Sequence, residues 1–181
     1  MYNGIAYRYC FFRATGNSLV ELSNFQDHVY LCALGDDSVY STSPEYIDVF
    51  SEDKLGVFMA ELGLTYTPEH KGAADLFRRD ITQVNFLKRS FRFEPLANRY
   101  VAPLDKRVIR ETPYWTKEKG FMTITKTNVN TSLWEMALHG PKAFDEFFDE
   151  VIKADVNVDF VPNVSSWKIA LEYAINLDYY Y

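Results

Sequence analysis

Two cysteines in 181 residues, Cys10 and Cys32, without CxxC spacing, are too few for a disulfide framework or a zinc ribbon. A reducing compartment follows as the expectation. Three histidines, His28, His70 and His139, do not build a four-ligand zinc site, although His28 and Cys32 share parity on a candidate strand. No apolar run approaches the roughly 20 residues that span a bilayer. Met1 is not followed by a basic segment leading into an apolar one, as a signal peptide requires. The chain therefore reads as soluble and cytosolic, with no transmembrane segment. No internal repeat, low-complexity tract or flexible linker interrupts it.

Apolar and aromatic residues, by contrast, are abundant. A hydrophobic content of 48%, with 13 Tyr and 14 Phe, lies outside the range of disordered chains. The length suits one domain, or two small subdomains sharing a core. A net charge of -6 argues against a nucleic-acid partner. Its distribution argues the other way: Lys71 to Lys119 holds 12 basic against 6 acidic residues, leaving 7 against 19 for the remainder. Such a block points weakly to a polyanion, and a solvated mixed-charge face explains it as well.

Ile5, Tyr9 and Phe12 fit helical spacing with no capping residue ahead of them, so Met1 to Phe12 reads as a helix begun in the middle, with residues expected upstream. Val29 to Leu34 and Ser38 to Thr42 are β-prone runs around a Gly-Asp turn, a hairpin signal. Ser43-Pro44-Glu45 predicts one helix start, and Ser51 with Glu52 and Asp53 a second, for a helix over 52–62 stopped by Gly63. Leu55, Phe58, Met59 and Leu62 line one face of it. "TQVNFLKRSFRFE" and "RYVAPL" read as strands. Three helices close the chain: Asn128 or Asn130 to His139, stopped by Gly140, then Pro141 to Lys153, and Ser165 or Ser166 to Asn176. The fold class is α+β, with a break near residue 95.

The hairpin tip carries the chemistry. Asp36 and Asp37 repel each other, and a divalent cation is the economical compensation. Mg²⁺ takes one or two carboxylates and fills its remaining positions with water and substrate phosphates. Such a pair suits displacement at phosphorus between two metal ions. Taken alone, "GDD" is more often a solvated turn.

Three further stretches follow it in order. "YLCALGDDSVYS", "ELGLTYTPEHK", "NFLKRSFRF" and "VAPLDKRVIRETPYWTKEKG" resemble consecutive segments of picornavirus-like RNA-dependent RNA polymerases of the dicistrovirus and iflavirus type, over roughly residues 1–120. The resemblance implies a partial right-hand polymerase. Residues 1–95 would be the C-terminal part of the palm, with the GDD hairpin, its packed helix and the FLKR hairpin. Residues 96–181 would be a mainly helical thumb. It implies RNA-directed nucleotidyl transfer from nucleoside triphosphates to an RNA 3′ hydroxyl, with Mg²⁺ or Mn²⁺ as cofactor.

By the same resemblance Asp36 is a metal ligand, and Asp37 beside it shapes the field and binds through water. Lys71 protonates the leaving pyrophosphate, which an ammonium of ordinary pKa near 10.4 is charged to do. Phe86, Leu87, Lys88 and Arg89 support the nascent strand, the apolar pair anchored in the core and the cations on phosphates. Trp115 and Lys117 pack at the thumb base. Partners implied are RNA template and nascent strand, nucleoside triphosphates, and the missing N-terminal palm and fingers of the same polyprotein product. The implied location is host cytoplasm, at membrane-associated replication complexes.

Leu34 stands where the family usually has tyrosine. The family's other catalytic aspartate, its ribose-selecting loop and its fingers would lie upstream, with "MYN" the final turn of the helix after that loop. The isolated chain is accordingly expected to be inactive. Two alternatives stay open: a reverse-transcriptase-like palm, and a non-catalytic α+β binding module with a solvated acidic turn.

Overall fold

Helix α1 (Tyr2–Ala14) forms where helical spacing predicts it, but the computed structural model gives it a different buried face. Ala6, Tyr7, Cys10 and Phe11 turn inward, while Ile5 is 64% exposed. Aromatic residues surround this helix, so periodicity leaves its phase open and packing decides. The structure describes residues 2–69, 79–115, 122–154 and 161–176. His70, Lys71, Lys117 and the terminal tyrosines lie outside the described residues. Packing divides the chain into two units, Met1–Arg79 and Asp80–Tyr181.

In the first unit, Ser18 caps α2 (Leu19–Ser23) by accepting from the Glu21 amide at 3.2 Å. A single-turn α3 (Phe25–His28) leads into β1 (Val29–Leu34), which pairs antiparallel with β2 (Asp37–Thr42). The helix expected from Pro44 is a correction: Pro44 to Val49 runs as successive turns, with Tyr46 N–H on the Ser43 carbonyl and Val49 N–H on that of Tyr46, both at 3.0 Å. The span before Ser51 is too short to repay helix nucleation, and buried Phe50 pins its end. Helix α4 (Glu52–Glu61) then buries Leu55 and Met59, with Phe58 packed beside them. Leu62, expected on that face, sits at the C-cap and is 41% exposed. Gly63 ends the helix at φ +73°, a conformation only glycine adopts without strain. Phe11, Phe25, Phe50, Leu55 and Met59 form the core, and Val29 carries β1 onto it.

The second unit contains less strand than its alternation suggests. Among the described residues β3 (Arg92–Glu94) and β4 (Arg99–Val101) pair, Arg89 bridges singly to Phe86 and to Leu104, and the break expected near residue 95 falls in the turn between the two strands. Upstream lie a 3₁₀ turn at Ile81–Gln83, capped by Asp80, and a tight turn at Phe86–Arg89. Asp105 caps α5 (Lys106–Glu111), accepting from the Arg107 amide at 2.8 Å. A second 3₁₀ turn, Thr112–Tyr114, precedes α6 (Met122–Ala137), α7 (Pro141–Ala154) and α8 (Trp167–Asn176). Helix α6 begins earlier than expected, because packing of its later turns overrides the weak helix propensity of its Thr- and Asn-rich start. Ile109, Leu133, Met136, Phe144, Phe147, Val164 and Leu171 make the core. Each unit is built as an α+β layer of helices with a small antiparallel sheet, the class the sequence predicts. Among the described residues, no helix is long and apolar enough to cross a membrane.

Arg92 ties β3 to the end of α6. Its Nε donates to the Leu138 carbonyl at 2.6 Å and its terminal amine to the Glu94 carboxylate at 2.6 Å. Glu94 is only 3% exposed. Arg92→Ala leaves that carboxylate with the Leu96 amide at 3.1 Å but without its charged partner and is expected to cost about 2–3 kcal/mol, less than a wholly buried pair because the arginine is partly solvated. Trp115, Trp134 and Trp167 all lie in this unit, so urea unfolding followed by tryptophan fluorescence reads the loss. Glu94→Gln keeps an acceptor without the charge and should lose less.

Candidate active site

The register from Val29↔Thr42 to Leu34↔Asp37 leaves a two-residue loop, Gly35 and Asp36. Gly35 takes φ +63° and Asp36 stays out of the left-handed region, which fits a type II′ turn with glycine first. Cross-strand partners share a face. Val29, Leu31, Ser38 and Tyr40 therefore face the core, while Tyr30, Leu34 and Asp37 face outward. On that outer face Leu34, 63% exposed, lies across from Asp37, and Tyr30, 72% exposed, lies further along it opposite Ser41. Asp36 and Asp37 are both exposed, and among the described residues neither carboxylate has a hydrogen-bond or ion-pair partner.

Helix α1 braces this tip from the core side. Asn3 Nδ2 donates to the Gly35 carbonyl at 2.8 Å, and the Tyr7 hydroxyl shares a 2.8 Å hydrogen bond with Ser38 Oγ. Tyr7 also meets the Tyr40 ring edge-on, at 5.3 Å between centroids. Burial pushes the Tyr7 hydroxyl above the ordinary tyrosine range, so it acts as a neutral group. Residues three and four apart share one helix face, so Asn3 and Tyr7 reach the turn together. Sequence reading passed over both; the only signal was an amide and a hydroxyl one turn apart on the same helix face.

Two adjacent carboxylates supply hard oxygen donors suited to Mg²⁺ or Mn²⁺, with positions left over for water or phosphate. Among the described residues no group of three or more His, Cys, Asp or Glu side chains is placed to hold a metal. His28 spends its ring on Ser43 Oγ at 3.0 Å and on the Tyr46 face at 4.5 Å, a satisfied structural role. Cys10 is buried and Cys32 exposed, both as free thiols; burial pushes the Cys10 thiol up to about 11.

The FLKR stretch lies in the second unit. Phe86 and Arg89 exchange backbone hydrogen bonds at 2.9 Å, and Leu87 and Lys88 between them take φ +53° and +60°, the pattern of a type I′ turn. Neither residue is one that favours this region, so the surroundings hold it. The Asp105 amide donates to the Lys88 carbonyl at 2.8 Å, and Arg89 forks onto Glu135 of α6 at 2.7 and 2.9 Å. Arg89 also donates to the Ala102 carbonyl at 2.7 Å. Leu87 does not join the core as expected: it sits at the turn's apex, 38% exposed, and Phe86 alone of the pair is half-buried. Lys88 is exposed beside it.

Much of the basic block is matched locally. Arg79 meets Glu69 at 2.6 Å, Arg107 meets Glu111 at 2.9 Å and Arg110 meets Glu150 at 3.2 Å. Trp115, expected to pack at the thumb base, is 74% exposed.

Residues 1–155 match the family described as viral RNA-dependent RNA polymerase. A replicase polyprotein of Drosophila C virus is 29% identical over 167 residues, covering 90% of this chain and 10% of the polyprotein. That of acute bee paralysis virus is 31% identical over 144 residues, covering 77% of the chain and 8% of the polyprotein. The chain thus spans a tenth or less of the length of these relatives. Among solved structures, the Sicinivirus 3Dpol RNA-dependent RNA polymerase shares the fold, with a TM-score of 0.62 at 17% identity, over 82% of this chain and 30% of that one. The hairpin, its bracing helix and the FLKR turn are thus parts of a polymerase fold, and the chain belongs to the viral RNA-dependent RNA polymerase family.

Proposed function

We propose that this chain supplies the palm hairpin, within residues 1–95, and the thumb, within 96–181, of an enzyme that copies RNA from an RNA template. The reaction is attack of an RNA 3′ hydroxyl on the α-phosphate of a nucleoside triphosphate, releasing pyrophosphate. The observation that carries it is the braced tip, where two carboxylates, unpaired among the described residues, stand exposed on a turn whose backbone is fixed from below. Paired divalent ions, when bound, stabilise charge on the attacking and departing oxygens. Asp36 contributes an inner carboxylate; Asp37 adds negative field and holds water. Lys71 gives its proton to the departing pyrophosphate.

Lys88, at the apex of a rigid turn, contacts a nascent-strand phosphate without reading sequence. Phe86 anchors that turn, Leu87 fills its apex, and Arg89 acts through its Glu135 fork to hold Lys88 in place. The working enzyme includes upstream palm and fingers from the same polyprotein product, and acts in host cytoplasm at membrane-associated replication complexes.

Primer extension with the full-length polymerase carrying this segment tests the proposal. Ribonucleotides should be added in a chelator-sensitive reaction, deoxyribonucleotides at least about 10²-fold more slowly, and the 181-residue chain alone should add none. Comparable DNA synthesis would favour the reverse-transcriptase alternative.

A further inference from the structure

The peptide joining Gly35 to Asp36 is the central peptide of the hairpin turn, which the strand ladder leaves unused. Rotation of that peptide interconverts the I′ and II′ forms, and glycine at the first position permits both. The two forms differ in φ at the second position, so the flip re-aims the Asp36 side chain. In this structure the Gly35 carbonyl is held by Asn3 Nδ2 at 2.8 Å. One turn along the same helix, Tyr7 holds Ser38, the first residue beyond the acidic pair, at 2.8 Å.

We infer that Asn3 is a positioning residue: from helix α1 it locks the Gly35–Asp36 peptide in one orientation and so fixes how Asp36 is presented. This rests on the reading of the turn as the seat of phosphoryl transfer. Tyr7 supplies a second fixed point on the far side of the pair, leaving the Gly35–Asp36 peptide as the joint able to rotate. Asn3 donates to the Gly35 carbonyl and makes no hydrogen bond to the acidic side chains, so its action runs through that carbonyl. Its removal therefore lowers the fraction of enzyme with Asp36 in the productive orientation, without altering the carboxylate itself.

The test uses single-nucleotide addition by the full-length polymerase. Asn3→Ala is expected to lower kcat about tenfold, the order of one net hydrogen bond, and to raise the Mg²⁺ concentration needed for half-maximal rate. KM for the nucleotide should stay within about twofold, since nothing that touches it is lost. Asn3→Asp cannot donate, repels the Gly35 carbonyl and should lose more than alanine does; Asn3→Gln, which keeps the amide donor, should recover part of the rate.

Burst titration of active sites separates positioning from folding, because misfolding reduces the number of active molecules without changing kcat per site. The inference is overturned if Asn3→Ala and Asn3→Asp keep kcat and the Mg²⁺ midpoint within about twofold of the parent, or if titration accounts for the whole loss. Asp36→Asn is run alongside. Should that variant stay active, it is the reading of the turn that fails, not the role of Asn3.

Discussion

Asp36→Asn in the full-length polymerase is expected to reduce nucleotide incorporation by at least about 10³-fold, some 4 kcal/mol of lost transition-state stabilisation. The substitution is nearly isosteric and asparagine is at home in turns, so the hairpin should keep its shape. What disappears is the negative charge that, on the proposed reading, suits this oxygen to a hard divalent ion. RNA binding, which depends on cations elsewhere, should stay within a few-fold. Asp37→Asn, on the outward face of β2, should cost less, about tenfold, because it acts through field and water. Turnover within a few-fold of normal for Asp36→Asn would instead favour the solvated-turn alternative, a binding module without catalysis. The two outcomes differ by orders of magnitude, so a single primer-extension time course distinguishes them.

What sequence reveals about such a site depends on how local its chemistry is. Gly35, Asp36 and the flanking β-prone runs announce a hairpin because turn type, strand propensity and charge are all encoded within a few residues. Gly63 and Gly140, at φ +73° and +96°, stop helices where expected for the same reason. Long-range partners carry no such signal. Nothing in "FLKR" says that Arg89 will fork onto Glu135, a residue 46 positions later, or that Leu87 will be lifted out of the core into a left-handed turn. Alternation across "TQVNFLKRSFRFE" predicts strand throughout, but turn bonds and the Asp80 cap claim most of it. Ser18 and Asp105 cap helices not anticipated from the sequence, because helices of five and six residues are too short for periodicity to show. The role of Asn3 is hidden most completely, since its partner is a backbone carbonyl, and a backbone group leaves no trace in residue identity.

Phe11→Ala is expected to destabilise the first unit by about 3–5 kcal/mol, a large share of the total for a unit of this size. The ring is fully buried and meets Phe25, Tyr46 and Phe50 at centroid separations of 5.4, 5.1 and 5.4 Å, two of them edge-on. Alanine removes the transfer free energy, opens a cavity walled by stiff rings that collapse poorly, and forfeits the edge-to-face contacts. Phe11→Leu, which keeps most of the volume, should cost about 1–1.5 kcal/mol. The consequence reaches the acidic turn. Phe11 lies one turn beyond Tyr7 and two beyond Asn3, so the residue that seats α1 on the core also sets the stage from which the tip is braced. Limited proteolysis should show faster cleavage within residues 1–79 for Phe11→Ala, with Phe11→Leu between it and the parent. Parental protease resistance in Phe11→Ala would mean that this aromatic cluster does not seat α1, and that its other buried residues, Ala6, Tyr7 and Cys10, suffice to hold it against the hairpin.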